Sequence, residues 1–277
     1  MPSLRFGLYL PPFGPLADPA ALVDLAQRAE TAGWDGVFLW EHVLGGDGVA
    51  VADSWVTLGG MASATSRILL GTMVSPLPRR RPWVLARQAA TVSRLSNGRC
   101  VLGVGLGADD YGDLSRFGEE TELAARARMT DEALHIVDAV WSGAPAEHNG
   151  SYYRVNLPPG VAEPHPIPVW VAGRLPEVRA ARRAVRRNGV MLIGSDQEST
   201  PEQIAGAVTA LRANGLAEGQ PFDVAIAGNA SHAWEEPKNV DLVGLAEAGA
   251  TWWMESLLHH DPLELTLAVV DAGPPRW

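Results

Sequence analysis

The amino-acid sequence predicts an α/β fold: a (β/α)8 TIM barrel formed by residues 1–277 as one domain, with a short insertion between helix four and strand five. Three observations point there. Short β-branched or aromatic runs alternate with longer segments of helical period along the whole chain, as βα units around a parallel sheet require. Eight such units fit into 277 residues, close to the ~250 typical of a barrel, whereas a doubly wound sheet usually uses fewer. Only one stretch, residues 142–168, breaks the rhythm, and the alternation resumes directly after it.

The elements follow in order. RFGLYL is the first strand, and the helix after it has Asp18 as N-cap, Pro19 at its first position, the apolar row Leu22, Leu25, Ala26 and Ala29, and Gly33 as its stop. GVFLW leads to a helix near 54–65, RILLGTMV to one near 82–96, and CVLGVG to a long one near 120–141. The Pro- and Gly-rich residues 142–168 hold a two-stranded excursion around Asn149-Gly150. VWVAG, VMLIG, FDVAIAG and TWWMES are strands five to eight, with helices near 176–187, 200–214, 240–248 and 261–271.

Composition excludes several function classes. With 22 Lys+Arg against 32 Asp+Glu the chain carries a net charge of -10, which disfavours nucleic acid and anionic membranes as partners. The N-terminus lacks a basic region followed by an apolar core, and no run approaches the ~18 apolar residues of a membrane span, so a cytoplasmic protein is expected. Lys238 is the sole lysine and Cys100 the sole cysteine, which removes most Schiff-base, disulfide and multi-cysteine metal chemistry. The first strand ends in Leu10-Pro11-Pro12-Phe13 where a barrel metallohydrolase has His-x-His, and His259-His260 beside Asp261 reads as a solvated loop; no metal is expected. A Gly-x-Ser-x-Gly elbow is also missing, so the chemistry is expected to come from a cofactor.

A barrel concentrates function where strands end. Glu41-His42, after strand two, is the sharpest acid/base candidate there: an imidazole holds or moves a proton near neutral pH, and the adjacent carboxylate can tune or orient a neighbour. The run Gly103-Val104-Gly105-Leu106-Gly107-Ala108 follows a strand and lets backbone approach a phosphate or flat ring. It also fits a Gly-x-Gly-x-x-Ala dinucleotide fingerprint, which leaves an NAD-dependent enzyme as an alternative. Arg79, Arg80 and Arg81 form a polar loop or touch an anionic ligand; the arginines at 179, 182, 183, 186 and 187 read as a solvated helix face, and Arg174 stands at a strand end. Trp40 and Trp170 are expected to frame an apolar substrate pocket.

The stretch GTMVSPLPRRRPWVLARQAATVSRLSNGRCVLGVGLG, with WEH at 40–42, the helix ARARMTDEALHIVDAVW, NGSYY, PVWVAG and AGATWWMES, resembles the bacterial luciferase-like monooxygenase superfamily. The resemblance implies a flavin- or F420-dependent oxidoreductase or monooxygenase acting on a small organic substrate, with reduced FMN and O2 or with hydride transfer to or from coenzyme F420. It implies that His42 handles a proton beside the ring, with Glu41 in place of an aspartate common in the F420 branch. Met73-Val74 matches a non-prolyl cis peptide behind the ring, Gly105 and Gly107 the glycines lining it, Arg126 a phosphate ligand, and Gly173-Arg174 and Gly194-Ser195 loops near the ribityl phosphate. Leu106 departs from an arginine of luciferase and leaves F420 open beside FMN. A trimmed late-barrel loop leans toward hydride transfer. A homodimer through the helices after strands two and three, and a separate flavin reductase, are further implications. A non-catalytic flavin-binding protein on the same fold is the alternative from another class.

Overall fold

The structure, a computed structural model, describes residues 4–160, 167–175, 179–194, 199–228 and 240–275. Its strands are β1 Arg5–Leu10, β2 Gly36–Leu39, β3 Leu69–Pro76, β4 Cys100–Gly105, β5 Ala146–Asn149, β6 Arg154–Leu157, β7 Val169–Arg174, β8 Gly189–Ile193, β9 Asp223–Gly228 and β10 Trp252–Ser256. Its helices are α1 Pro19–Ala32, α2 Ser54–Ala64, α3 Pro82–Leu95, α4 Leu123–Ser142, α5 Ala181–Ala184, α6 Pro201–Ala213, α7 Leu242–Glu247 and α8 Leu263–Ala272. Eight strands close into a parallel barrel in the order β1-β10-β9-β8-β7-β4-β3-β2, while β5 and β6 pair antiparallel outside it. This is the predicted (β/α)8 architecture.

Helix ends obey local chemistry. Asp18 accepts the Ala20 N–H at the start of α1, and Gly33 closes it at φ 98°, left-handed backbone that a side chain would strain. Thr200 and Gln203 form a reciprocal capping box on α6. The fifth helix is the exception, since only Ala181–Ala184 is helical among the described residues of the expected span 176–187. Its buried face consists of Ala181 and Ala184, too little apolar surface to hold a long helix. Arg183 bonds Asp131 at 2.6 Å and Arg187 grips Asp138 through both its oxygens, so these two arginines clasp α4 and are not simply solvated.

Alternation along the strands divides the core in two. One set of side chains packs against the helices. The other, Phe38, Met73, Val101, Trp170, Met191, Ala225, Trp252 and Met254, fills the lumen. There the Phe38, Trp170 and Trp252 rings lie 5.5–5.8 Å apart by centroid and plug the barrel. Trp170 is 1% exposed and belongs to this plug, which corrects its expected place at a substrate pocket. Above the plug, half-buried Tyr9, Val74, Ile193 and Ala227 form an apolar floor beneath the C-terminal mouth.

The peptide between Met73 and Val74 is cis, where the register between β3 and β4 also shifts. The glycines of β4 answer to that neighbour. A Cβ on Gly103 would collide with the Thr72 carbonyl oxygen, and one on Gly105 would lie 2.5 Å from Cγ2 of Val74.

Candidate active site

Chain direction places Glu41 and His42 at the mouth. The Trp40 N–H still bonds the Leu10 carbonyl at 2.8 Å, so the sheet pairing carries through to the residue before them. Glu41 then turns inward and is 7% exposed. Its carboxylate accepts from the Ser75 hydroxyl at 2.5 Å, Trp55 Nε1 at 3.1 Å and Arg80 Nε at 2.8 Å, while Arg79 Nη2 donates to its main-chain oxygen at 2.6 Å. Arg79 and Arg80 are therefore bound to residues of the chain, and Arg81 is exposed at the start of α3.

His42 meets a residue that motif reading missed. Its Nδ1 lies 2.5 Å from Oδ2 of Asp113, a carboxylate 1% exposed. Oδ1 of the same carboxylate accepts the N–H groups of Val43 at 2.7 Å and Leu44 at 2.9 Å, and Arg79 Nη1 stands 3.5 Å away. Burial pushes the Asp113 carboxyl up, but the bonds from Leu44, His42 and Val43 outweigh it and hold it below the usual carboxylate range. An ionised Asp113 fixes the proton of neutral His42 on Nδ1 and leaves Nε2 as the ring's acid–base position. In the sequence Asp113 closes the run Asp109-Asp110-Tyr111-Gly112-Asp113, where nothing distinguishes it from a solvated loop. Asp109 aims it by accepting the N–H groups of Leu114 at 2.7 Å and Ser115 at 3.0 Å.

A pocket of about 260 Å³ opens beside this network, lined by Glu41, His42, Arg80, Asp113, Phe117 and Glu119 among others. Aromatic rings surround His42 elsewhere. Phe13, fully buried, packs against Trp40 at 5.9 Å, His42 at 5.6 Å, Tyr111 at 5.8 Å and His259 at 5.3 Å between centroids. Trp40 therefore stands at the mouth. So does His259, half-buried and not in solvent as expected; burial and then the neighbouring His260 lower its pKa. Cys100 is sealed in β4, where burial pushes its thiol up to about 12.

The glycine loop faces the other side of the mouth. Gly107 has φ +81° and lies over buried Arg126, whose Nη1 donates to the carbonyls of Leu106 at 3.1 Å and Gly107 at 2.7 Å. Arg126 Nε is buried with no partner, a vacant donor suited to a cofactor's anionic arm. Gly173 is buried in β7, Arg174 is exposed at its end, and Gly194 follows β8; Ser195 lies outside the described residues. The structure thus brings His42 and Glu41 together on one side, with Gly105, Gly107 and Arg126 grouped elsewhere around the mouth. It also removes the dinucleotide alternative: α4 starts at Leu123, whereas the fingerprint needs a helix opening within Gly103–Ala108.

Comparison with known proteins now decides the family. The luciferase-like monooxygenase family model matches residues 4–241. The chain belongs to that family. Among its luciferase-like relatives, the F420-dependent glucose-6-phosphate dehydrogenase of Kineococcus radiotolerans is 32% identical over 213 residues, covering 73% of this chain and 61% of that protein. The enzyme of the same name from Amycolatopsis mediterranei is 33% identical over 166 residues, covering 58% and 49%. The chain thus spans between about half and three-fifths of these relatives. An F420-dependent secondary alcohol dehydrogenase superimposes with TM-score 0.76 at 17% identity over 99% of this chain and 100% of that one. The FMN-bound oxygenating constituent of 3,6-diketocamphane monooxygenase from Pseudomonas putida does so with TM-score 0.71 at 16% identity, over 98% and 96%. Relatives and neighbours of this luciferase-like barrel thus use F420 or FMN.

Proposed function

We propose that the protein is an F420-dependent oxidoreductase in which His42 and Asp113 form the proton-handling pair at the barrel mouth. The observation that carries this is the 2.5 Å contact between His42 Nδ1 and Asp113 Oδ2, which leaves Nε2 to exchange the substrate's proton. When bound, the deazaflavin supplies or accepts a hydride. The chain's own residues do the rest. The apolar floor of Tyr9, Val74, Ile193 and Ala227 would support a planar ring, and Arg126, with exposed Arg174 at the end of β7, would hold the anionic arm. Phe13 and Tyr111 meet the His42 ring edge-on and pack it on two sides, leaving its side chain 17% exposed. Glu41, whose oxygens are occupied by Ser75, Trp55 and Arg80, acts as a positioning residue that holds the loop carrying His42.

The F420-dependent relatives support this cofactor over FMN. Under the FMN reading a separate reductase would supply reduced flavin. Titration with F420 and FMN, followed by oxygen consumption with each reduced form, separates the two: tight F420 binding without oxygen uptake is expected, and FMN-dependent oxygen uptake coupled to product formation would overturn it. His42→Ala with cofactor affinity retained and turnover lost would set aside a non-catalytic flavin-binding protein. Pairing of two copies through α2 and α3, which the family resemblance implies, is part of the same proposal and is checked by the mass of the protein in solution.

A further inference from the structure

Arg79 joins the two carboxylates of the site. It follows β3, and its side chain is only 6% exposed. Nη2 donates to the Glu41 carbonyl at 2.6 Å and stands 3.5 Å from Glu41 Oε1, while Nη1 stands 3.5 Å from Asp113 Oδ1. One buried cation thus reaches both the residue before His42 and the carboxylate that bonds the His42 ring.

The charges around His42 balance while its ring is neutral. Arg79 and Arg80 offset Glu41 and Asp113, so protonating the ring leaves the cluster with an unmatched positive charge. The other titratable groups near the ring, among the described residues, do not alter that balance. Tyr111 meets it edge-on at 5.3 Å, and burial, then Asp110 and Asp113, push its phenol up, so it stays uncharged. His259 packs on Phe13, which also packs on His42; burial and then His260 hold its pKa down. Asp53 and Glu119 line the same pocket but are exposed, and solvent screens them.

An ionised aspartate bonded to a histidine favours the imidazolium, which has no free nitrogen to take up a proton. A second cation on the same carboxylate opposes this, because like charges a few ångströms apart repel in a partly buried site.

Resting on the proton-handling role proposed above for His42, we infer that Arg79 is a positioning residue that acts through Asp113 to keep His42 neutral, with its proton on Nδ1 and Nε2 free to accept. Arg80, whose Nε bonds the Glu41 carboxylate at 2.8 Å, leaves Arg79 as the cation that reaches Asp113.

The test is nitrogen NMR of the imidazole side chains in the cofactor-free chain, which separates the neutral Nδ1–H ring from the imidazolium and needs no substrate; the signals missing from His42→Gln assign His42. At about pH 7.5 wild-type His42 is expected to be neutral and protonated on Nδ1. Arg79→Gln keeps a donor for the Glu41 carbonyl but removes the charge, and the ratio of charged to neutral His42 should rise at least about tenfold. Arg79→Lys restores the charge and should stay near the wild type. A residue that merely held the loop would act with the opposite sign, because a loosened His42 loses Asp113 and stays neutral with its proton shared between both nitrogens. That result, an Arg79→Gln spectrum like the wild type, or Arg79→Lys as fully charged as Arg79→Gln would overturn the inference. The wild-type spectrum decides even where Arg79→Gln does not fold: an imidazolium at that pH overturns the inference, and a neutral Nδ1–H ring supports it. Since the measurement contains no F420, a chain that fails to bind F420 overturns the proposed cofactor and leaves the role of Arg79 standing.

Discussion

His42 and Asp113, 71 residues apart in the chain, are joined by a 2.5 Å contact, and the same Asp113 carboxylate holds the backbone on which His42 is mounted through Val43 and Leu44. One buried group thus sets both the tautomer of the imidazole and the course of its loop. Asp113→Asn keeps the acceptor for the two N–H groups but can present an amide donor to Nδ1, which favours the wrong tautomer. Turnover should fall by about 10²–10⁴-fold with F420 affinity retained. Steady-state kinetics showing near wild-type kcat would remove Asp113 from the mechanism.

Glu41 should matter first to stability. Its buried carboxylate balances Arg80 at 2.8 Å and Arg79 at 3.5 Å. Glu41→Gln leaves those cations short of a counter-charge, and a cost of about 3–5 kcal/mol is expected from breaking a buried pair. Denaturant unfolding measures it; a loss of activity at unchanged stability would instead return Glu41 to the chemistry.

Gly103→Ala separates two reasons for the glycine run. A Cβ there meets the Thr72 carbonyl oxygen and, at 2.8 Å, Met73 Sδ, so the variant should lose about 1–3 kcal/mol or more even with no cofactor present. Unchanged stability of the cofactor-free variant, with weakened F420 binding, would show that the glycine serves the ligand alone.

Acid stability follows from Glu30. Its carboxylate accepts the N–H groups of Ser66, Arg67 and Ile68 at 2.6–3.0 Å, tying α1 to the turn before β3. Burial raises its pKa, but these bonds outweigh it and bring it to about 2 from 4.5. A depressed carboxylate stabilises the fold fully above its unfolded value and loses that contribution as pH falls through the folded one. Glu30→Gln should therefore melt below the wild type at pH 7, with the difference shrinking between pH 4.5 and 2. A difference that stays constant over that window would show that ionisation of Glu30 plays no part.

Much of the fold was legible because its causes are local. Asp18, Pro19 and Gly33 bound α1 through bonds spanning a few residues, and strands buried on both faces write themselves as apolar runs such as CVLGVG. The fifth helix was overread because an Arg-rich segment of helical period says nothing of how little apolar surface it will bury. Strand-end position also made His42 legible, yet its partner was not. The bond between them depends on the loop after β4 crossing to the end of β2, around the intervening β3.

The sequence by itself determined the alternation of strand and helix, the barrel class, and the narrow chemistry left by one lysine and one cysteine. Periodicity, capping and composition are properties of neighbouring residues, so a linear reading reaches them. Only the tertiary structure decided that Glu41 is locked by Ser75, Trp55 and Arg80, that Trp170 plugs the lumen while Trp40 lines the mouth, and that Asp113 orients His42. Each of these depends on which residues barrel closure brings within hydrogen-bond or van der Waals distance, and those contacts act over a few ångströms in space regardless of separation along the chain.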